Sequence, residues 1–84
     1  MAITLLSRDQ CAACAQAAQE LTRICADLDE PLEIVDVDAA AAAGQRELRA
    51  EFGDRLPVIL LDGDEHGYWE VDEARLRADI AARG

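Results

Sequence analysis

The chain has 84 residues, of which 51% are hydrophobic, and its formal net charge is −10. A chain of this length predicts one domain covering 1–84, and its hydrophobic fraction is too high for a disordered segment. The acidic balance argues against nucleic acid and anionic membrane surfaces as partners, because both carry negative charge themselves.

The sequence predicts no signal peptide. The N-terminal apolar run, Ala2–Leu6, has no basic stretch before it and is too short for the core of a signal peptide. No stretch approaches the length of a membrane span. The cysteine count of three is odd, which fits a secreted disulfide scaffold poorly. We therefore predict a cytoplasmic protein, and we expect it to be a monomer.

The first part of the chain alternates between strand and helix patterns. Ala2–Leu6 is nearly continuous in apolar residues, as in a strand covered on both faces. Apolar residues then recur at helical spacing over 11–29, and Pro31 marks the end of this helix. Leu32–Val37 is rich in β-branched residues and predicts a second strand. Strand, helix and strand together predict a right-handed βαβ unit with parallel strands.

The middle of the chain predicts further helix. Asp38 is a plausible N-cap, and the alanine run 39–43 has high helix propensity. We interpret this run as helix or helix entry; Gly44 interrupts it, which leaves the alternative that the helix begins only after Gly44. Gly53 is the expected C′ residue, where a left-handed conformation favours glycine.

The last part predicts a hairpin and a final helix. Leu56–Leu61 has the pattern of a third strand, and the Asp-Gly pair at 62–63 is typical of a hairpin turn. A fourth strand is predicted over 66–71, and Asp72 is expected to cap a helix over 73–83. The resulting order is βαβαββα, an α/β fold.

Two cysteines, Cys11 and Cys14, stand where the first strand gives way to the first helix. The two-residue spacing brings the sulfurs close enough to bridge, and the unpaired N–H groups of the helix N-terminus favour a thiolate at Cys11. Arg8 would add positive charge near Cys11, whereas Asp9 would oppose it. A C-x-x-C pair at such a junction is typical of a redox-active dithiol, although a redox-inactive pair or half of a metal site has the same spacing.

The motif and the element order resemble a known fold family. They are similar to the thioredoxin fold in its short glutaredoxin form, in which Leu56-Pro57 would open the third strand. The chain most resembles the small bacterial glutaredoxin-like proteins, and three stretches carry this resemblance: Phe52–Val58, the pair 62–63 and 69–76. The resemblance implies a four-stranded mixed sheet flanked by helices on both faces.

The resemblance also implies roles for residues around the dithiol. Cys11 would be the nucleophile and Cys14 the resolving thiol. Pro57 would follow a cis peptide bond and face the dithiol across a groove, where the backbone of Leu56 could pair with an extended substrate. We assign this substrate groove to Arg8, Leu56, Pro57 and Asp72.

Three departures from the glutathione-using glutaredoxins concern the reductant. Both inner residues of the C-x-x-C motif are Ala, where those proteins usually carry an aromatic residue. Arg55-Leu56 stands before the proline in place of Thr-Val. Gly63 has no neighbouring glycine, and Asp72 alone could stand in for the acidic residue that holds glutathione. We therefore predict no bound cofactor, and a reductant that is either glutathione, which the departures disfavour, or a protein dithiol.

These patterns predict a small thiol–disulfide oxidoreductase that acts on a disulfide-containing protein or a low-molecular-weight thiol. One alternative is a redox-inactive thioredoxin-fold module for binding or regulation. Another is a metal-binding protein, in which zinc would be held by Cys11, Cys14, Cys25 and His66. Cys25 is instead expected to be a buried structural thiol, and His66 a solvated turn residue. The aromatic residues Phe52, Tyr68 and Trp69 are expected in the core or on sheet faces. Tyr68 and Trp69 would point to opposite faces of the fourth strand, so one of them is expected at the surface.

Overall fold

The computed structural model describes residues 1–83 and consists of a mixed sheet with helices on both faces. Its elements are β1 (Ile3–Ser7), α1 (Ala12–Leu28), β2 (Leu32–Asp36), α2 (Val37–Ala42), α3 (Glu47–Phe52), β3 (Val58–Leu61), β4 (Asp64–Tyr68) and α4 (Glu73–Arg83). The strand order is β2-β1-β3-β4. β1 pairs with β2 in parallel and with β3 antiparallel, and β3 pairs with β4 antiparallel. The predicted α/β fold with a four-stranded mixed sheet is confirmed.

The core forms on both faces of the two central strands, β1 and β3. Successive side chains of a strand point to opposite faces, so Leu5 and Leu6 pack into different apolar clusters. The first cluster lies under α1 and α4 and includes Leu21 and Leu76, both fully buried. The second cluster lies under α2 and α3 and includes Phe52. All four residues of β3 are buried, as its continuous apolar sequence predicts.

The predicted cap of the second helical stretch is wrong by two residues. Asp36 caps α2, because its Oδ1 accepts the backbone N–H groups of Asp38 at 2.9 Å and of Ala39 at 3.0 Å. β2 therefore ends at Asp36, and Val37 begins the helix with its side chain fully buried. The side chain of Asp38 is consequently available for a different contact near the dithiol.

The glycines of this region have different roles. Gly44 adopts a φ of 100°, which breaks the stretch into the two short helices α2 and α3. Gly53 was predicted as a left-handed C′ residue, and this is wrong, because its φ of −63° keeps it in the right-handed region. The backbone N–H of Gly53 donates to the carbonyl of Arg49 at 2.9 Å and so continues the helical pattern by one residue.

The hairpin turn after β3 has the predicted chemistry. Asp62 and Gly63 have φ values of 51° and 87°, the two positive angles that a type I′ turn requires. β4 starts directly after this two-residue turn and ends at Tyr68, so the predicted span of 66–71 begins and ends too late. Asp72 caps α4 as predicted, since its Oδ1 accepts the backbone N–H of Arg75 at 3.1 Å. Among the described helices, none combines the length and the apolar sequence needed to cross a membrane.

Candidate functional site

The junction between β1 and α1 places the two cysteines of the C-x-x-C motif at the start of a helix. Cys11 is the N-cap of α1, with an extended backbone at φ −113° and ψ 106°. Its Sγ accepts the backbone N–H of Cys14 at 3.2 Å. The sulfur thus occupies the position that a side-chain oxygen takes in ordinary N-caps, where the free N–H groups and the helix dipole stabilise negative charge.

The two thiols differ in exposure. Cys11 is half-buried and lines an open surface cleft of about 470 Å³ that is formed by the β1–α1 junction and the first turns of α1. Cys14 is only 3% exposed. Burial, together with the hydrogen bond to Cys11, raises the pKa of the Cys14 thiol to about 11, although the backbone N–H of Arg8 and its positive charge act in the opposite direction. Cys14 is therefore protonated at neutral pH.

Arg8 is fixed beside the dithiol by an acidic partner from α2. Its Nε and Nη2 donate to the two carboxylate oxygens of Asp38 at 2.9 and 3.0 Å, a bidentate pair. The same hydrogen bonds hold the pKa of the Asp38 carboxyl below its usual range, and Arg49, at 3.6 Å, acts in the same direction. The positive charge of Arg8 acts on both Cys11 and Cys14. The sequence predicts Asp38 as an N-cap and not as a partner of Arg8, because no local pattern links residues 30 positions apart.

The structure distributes the four predicted groove residues over different places. Arg8 lines the cleft of the two cysteines, and the peptide bond between Leu56 and Pro57 is cis, as the resemblance implies. Pro57 is buried and Leu56 packs partly against the core under α2 and α3. Asp72 lines a second cleft, of about 450 Å³, which also contains His66, Tyr68 and Arg75. The structure therefore brings Arg8 together with the cysteines and places Asp72 in a separate cleft.

The structure does not bring Cys25 and His66 to the dithiol, as the zinc alternative would require. Cys25 is 3% exposed and packs in the cluster under α1 and α4, where burial raises the pKa of its thiol. The prediction that His66 is a solvated turn residue is wrong, because it lies in β4 and its side chain is 7% exposed. Its Nε2 lies 2.7 Å from Oδ2 of Asp79 on α4. Within residues 1–83, no three His, Cys, Asp or Glu side chains are grouped to hold a metal ion.

The aromatic residues divide between core and surface differently from the prediction. Phe52 is buried, whereas Tyr68 and Trp69 are both exposed, by 47% and 62%. Their rings meet edge to face with centroids 5.0 Å apart. The alternation expected within a strand does not apply, because β4 ends at Tyr68 and Trp69 has a left-handed backbone with φ 72°. Trp69 and the two residues after it face α1 across a third cleft, of about 240 Å³.

Comparison with protein families identifies one match that spans nearly the whole chain. The family model described as a glutaredoxin-like domain (DUF836) matches residues 2–81. Uncharacterized proteins of Mycobacterium tuberculosis and Mycobacterium bovis are 57% identical to this chain over 79 residues. Each alignment covers 94% of this chain and 81% of the relative.

Solved structures show the same fold. A structural-genomics target protein from X. campestris is 34% identical, with a TM-score of 0.68 over 95% of this chain and 96% of that chain. The holo form of glutaredoxin C1 from Populus tremula × tremuloides is 20% identical, with a TM-score of 0.62 over 95% of this chain and 72% of that chain. Fasciola hepatica thioredoxin is also 20% identical, with a TM-score of 0.63 over 99% and 80%. The last two similarities concern the fold alone.

Proposed function

Because the chain belongs to the glutaredoxin-like domain family, we propose that it is a thiol–disulfide oxidoreductase with Cys11 as the nucleophile and Cys14 as the resolving thiol. One observation carries this proposal: the two thiols lie within a single helical turn but differ in exposure and in hydrogen bonding. Cys11 faces an open cleft and accepts a helix N–H at 3.2 Å, while Cys14 is buried behind it. Nucleophilic and resolving cysteines need this difference, because only one of them should meet the substrate first.

The reaction has two exchange steps. The thiolate of Cys11 attacks one sulfur of the substrate disulfide, which forms a mixed disulfide and releases the other substrate sulfur as a thiolate. Cys14 then loses its proton and attacks the Cys11 sulfur, which releases the second substrate thiolate and leaves a Cys11–Cys14 disulfide. The substrate gains two electrons and the protein dithiol loses two. Two glutathione molecules or one protein dithiol would return those electrons and regenerate the protein.

Residues around the cysteines support these steps. The helix N-terminus and the positive charge of Arg8 stabilise the thiolates that attack and leave in each exchange step. Asp38 holds the guanidinium of Arg8 in place through two hydrogen bonds. The backbone N–H and the guanidinium charge of Arg8 both act to lower the pKa of Cys14, against the larger effect of burial, and so favour the thiolate needed in the second step.

The proposal includes a partner and a compartment. We propose that the substrate is a disulfide in a protein or in a low-molecular-weight thiol, bound along Arg8, Leu56 and Pro57. Regeneration needs a reducing environment, which agrees with the cytoplasmic location predicted from the sequence. Measuring the reduction rate with glutathione and with a protein dithiol in turn identifies which of them is the reductant.

A disulfide-reduction assay with Cys11→Ser tests the proposed function. The wild-type protein is expected to reduce a disulfide substrate with a reductant present, and Cys11→Ser is expected to fall to the uncatalysed rate, because a serine hydroxyl does not form a disulfide. Cys25→Ser is the matched control, since Cys25 is buried in the core away from the cleft. Equal rates for wild type and Cys11→Ser would support the redox-inactive binding module instead.

A further inference from the structure

The exposed aromatic pair takes no part in the exchange steps above. The chain has one Phe, one Tyr and one Trp, and the last two are adjacent and exposed by 47% and 62%. Burial of such large rings is favourable, so a protein that leaves two of its three aromatic side chains at the surface gives up core stability. Aromatic residues are enriched at interfaces between proteins, and an exposed aromatic patch therefore indicates a binding surface.

The backbone holds Trp69 in a conformation that its side chain disfavours. Its φ of 72° is uncommon for a bulky residue. The backbone N–H of Trp69 donates to the carbonyl of Pro57 at 2.7 Å, and Tyr68 pairs with Val58 in the sheet. These contacts fix the aromatic pair at the end of β4, beside the start of β3 and the Pro57 carbonyl. Conformational strain of this kind is concentrated at ligand-binding positions.

A cleft connects Trp69 with the dithiol turn, whereas Tyr68 lines the neighbouring cleft. Its volume is about 240 Å³, and one wall is the segment from Trp69 to Val71. The other wall is a single face of α1, formed by Ala13, Gln16, Ala17 and Glu20. Ala13 lies inside the C-x-x-C motif, between the two cysteines. The Cys11 cleft and this cleft lie on opposite flanks of α1 and approach each other at its N-terminal turn, so a chain whose disulfide reaches Cys11 would cross that turn to enter this cleft.

The cleft carries two carboxylates that form no ion pair with a basic side chain among the described residues. Glu20 and Glu70 both line it, and neither forms an ion pair within residues 1–83. Glu20 accepts only a hydrogen bond from Gln16, at 3.3 Å. Arg23 is bound instead to Glu73, at 2.8 and 3.3 Å. A cation that enters the cleft would meet two carboxylates and the indole of Trp69, which adds a cation–π attraction.

We propose that Tyr68, Trp69 and this cleft form the docking surface for a basic segment of the substrate protein, next to the disulfide that Cys11 attacks. The inference rests on the proposed function, because it names the substrate class of that reaction. Glu20 lies nine residues beyond Cys11, about 13 Å along the helix. An extended chain covers that rise in about four residues, so the Lys or Arg lies about four residues or more from the reacting cysteine. Apolar side chains beside it pack on the two rings.

The same surface disfavours glutathione. Glutathione carries a net negative charge at neutral pH, and the two carboxylates of the cleft repel it. The remaining cation of this region, Arg75, lies in the neighbouring cleft, where it donates to the carbonyl of His66 and lies 4.0 Å from Asp72. Charge therefore selects a basic protein segment over the small anionic thiol at the cleft beside α1.

Trp69 is the only tryptophan of the chain, so its fluorescence reports on this surface directly. The probe is a hexapeptide with blocked termini that contains one arginine, one leucine and one serine. The serine stands in the place of the substrate cysteine. A second peptide has glutamate in place of the arginine. The arginine peptide is expected to change the fluorescence saturably, and the glutamate peptide to bind at least about tenfold more weakly. Added salt is expected to weaken the arginine peptide's binding.

Two double variants separate the local effect from net charge. Glu20→Gln with Glu70→Gln is expected to reduce the affinity for the arginine peptide to that of the glutamate peptide. Glu33→Gln with Glu51→Gln removes the same two charges at exposed positions outside the cleft and is expected to leave the affinity unchanged. If both double variants lose affinity equally, or if the two peptides bind equally, the docking surface is not at this cleft.

Reduction kinetics distinguish failure of this inference from failure of the proposed function. The same two peptides with cysteine in place of serine are offered as disulfide-linked dimers. We expect kcat/KM for the arginine dimer to exceed that for the glutamate dimer at least about tenfold, and the Glu20→Gln, Glu70→Gln variant to remove this difference. Equal reduction of both dimers by the wild type overturns the docking surface and leaves the oxidoreductase intact. Reduction of neither dimer, with the fluorescence difference retained, overturns the oxidoreductase and supports the surface.

Discussion

The Cys14→Ser variant is expected to form a mixed disulfide at Cys11 and to stop there. Cys11 keeps its place at the N-terminus of α1 and its open cleft, so the first exchange step proceeds. The second step lacks a thiol, because a serine hydroxyl does not displace the substrate sulfur. Intact mass measurement should show one substrate molecule bound per protein and its release by dithiothreitol. Turnover with a protein disulfide should fall to the uncatalysed rate.

The pH dependence of the second step gives this prediction a quantitative form. Burial raises the pKa of Cys14 to about 11, so its thiolate fraction increases about tenfold per pH unit below that value. The mixed disulfide of the wild type should therefore decay faster as pH rises from 7 to 9. Cys14→Ser, loaded with the same substrate, should show no such decay. A mixed disulfide whose decay is independent of pH, or equally fast in the variant, would remove Cys14 from the resolving role.

Leu21→Ala is expected to lower the free energy of unfolding by about 2–5 kcal/mol. Leu21 is fully buried in the cluster between α1, α4 and the central strands, where it packs with Leu5, Ile59 and Leu76. Its truncation removes apolar contacts and leaves a cavity in the layer that supports the C-x-x-C helix. Domains of this kind are stable by only about 5–15 kcal/mol, so the loss is a large share of the total.

Urea unfolding of matched variants measures this effect. Ile34→Ala is the control, because Ile34 is also aliphatic but is 50% exposed on the edge strand β2. Its truncation is expected to cost about 1 kcal/mol or less, since full burial of such a side chain contributes about 1.5–3 kcal/mol. A Leu21→Ala variant no less stable than Ile34→Ala would show that α1 does not present this face to the core.

Periodicity and turn chemistry were sufficient to predict most of the fold. The apolar runs of β1 and β3, the helical spacing of α1 and the Asp62-Gly63 turn are local signals that the tertiary structure leaves unchanged. The start of α2 was missed because two aspartates, Asp36 and Asp38, compete as its cap. Asp36 is the cap because the side chain of Val37 is buried in the core from the first helical position. The carboxylate of Asp38 then binds Arg8.

The candidate site was predictable only where its signal is local. Cys11 and Cys14 are identified by a spacing of two residues, whereas the Arg8–Asp38 pair forms across 30 residues and has no local pattern. The position of His66 was also not predictable, because its side chain contacts Asp79 of α4, which lies 13 residues later in the chain. Trp69 was assigned to a strand, but the strand ends one residue before it, and its positive φ has no signal in the sequence.

The redox titration of the wild-type dithiol tests the central claim most directly. The protein is equilibrated in glutathione and in dithiothreitol buffers of defined potential, quenched by alkylation and mapped by peptide mass spectrometry. We expect one two-electron transition that links Cys11 to Cys14, at a potential within the span of about −270 to −120 mV covered by thioredoxin-fold dithiols. Cys25→Ser should give the same transition, because Cys25 stays alkylation-resistant in the folded core. Failure to form a Cys11–Cys14 disulfide at any potential in the series, or a disulfide that contains Cys25, would contradict the account.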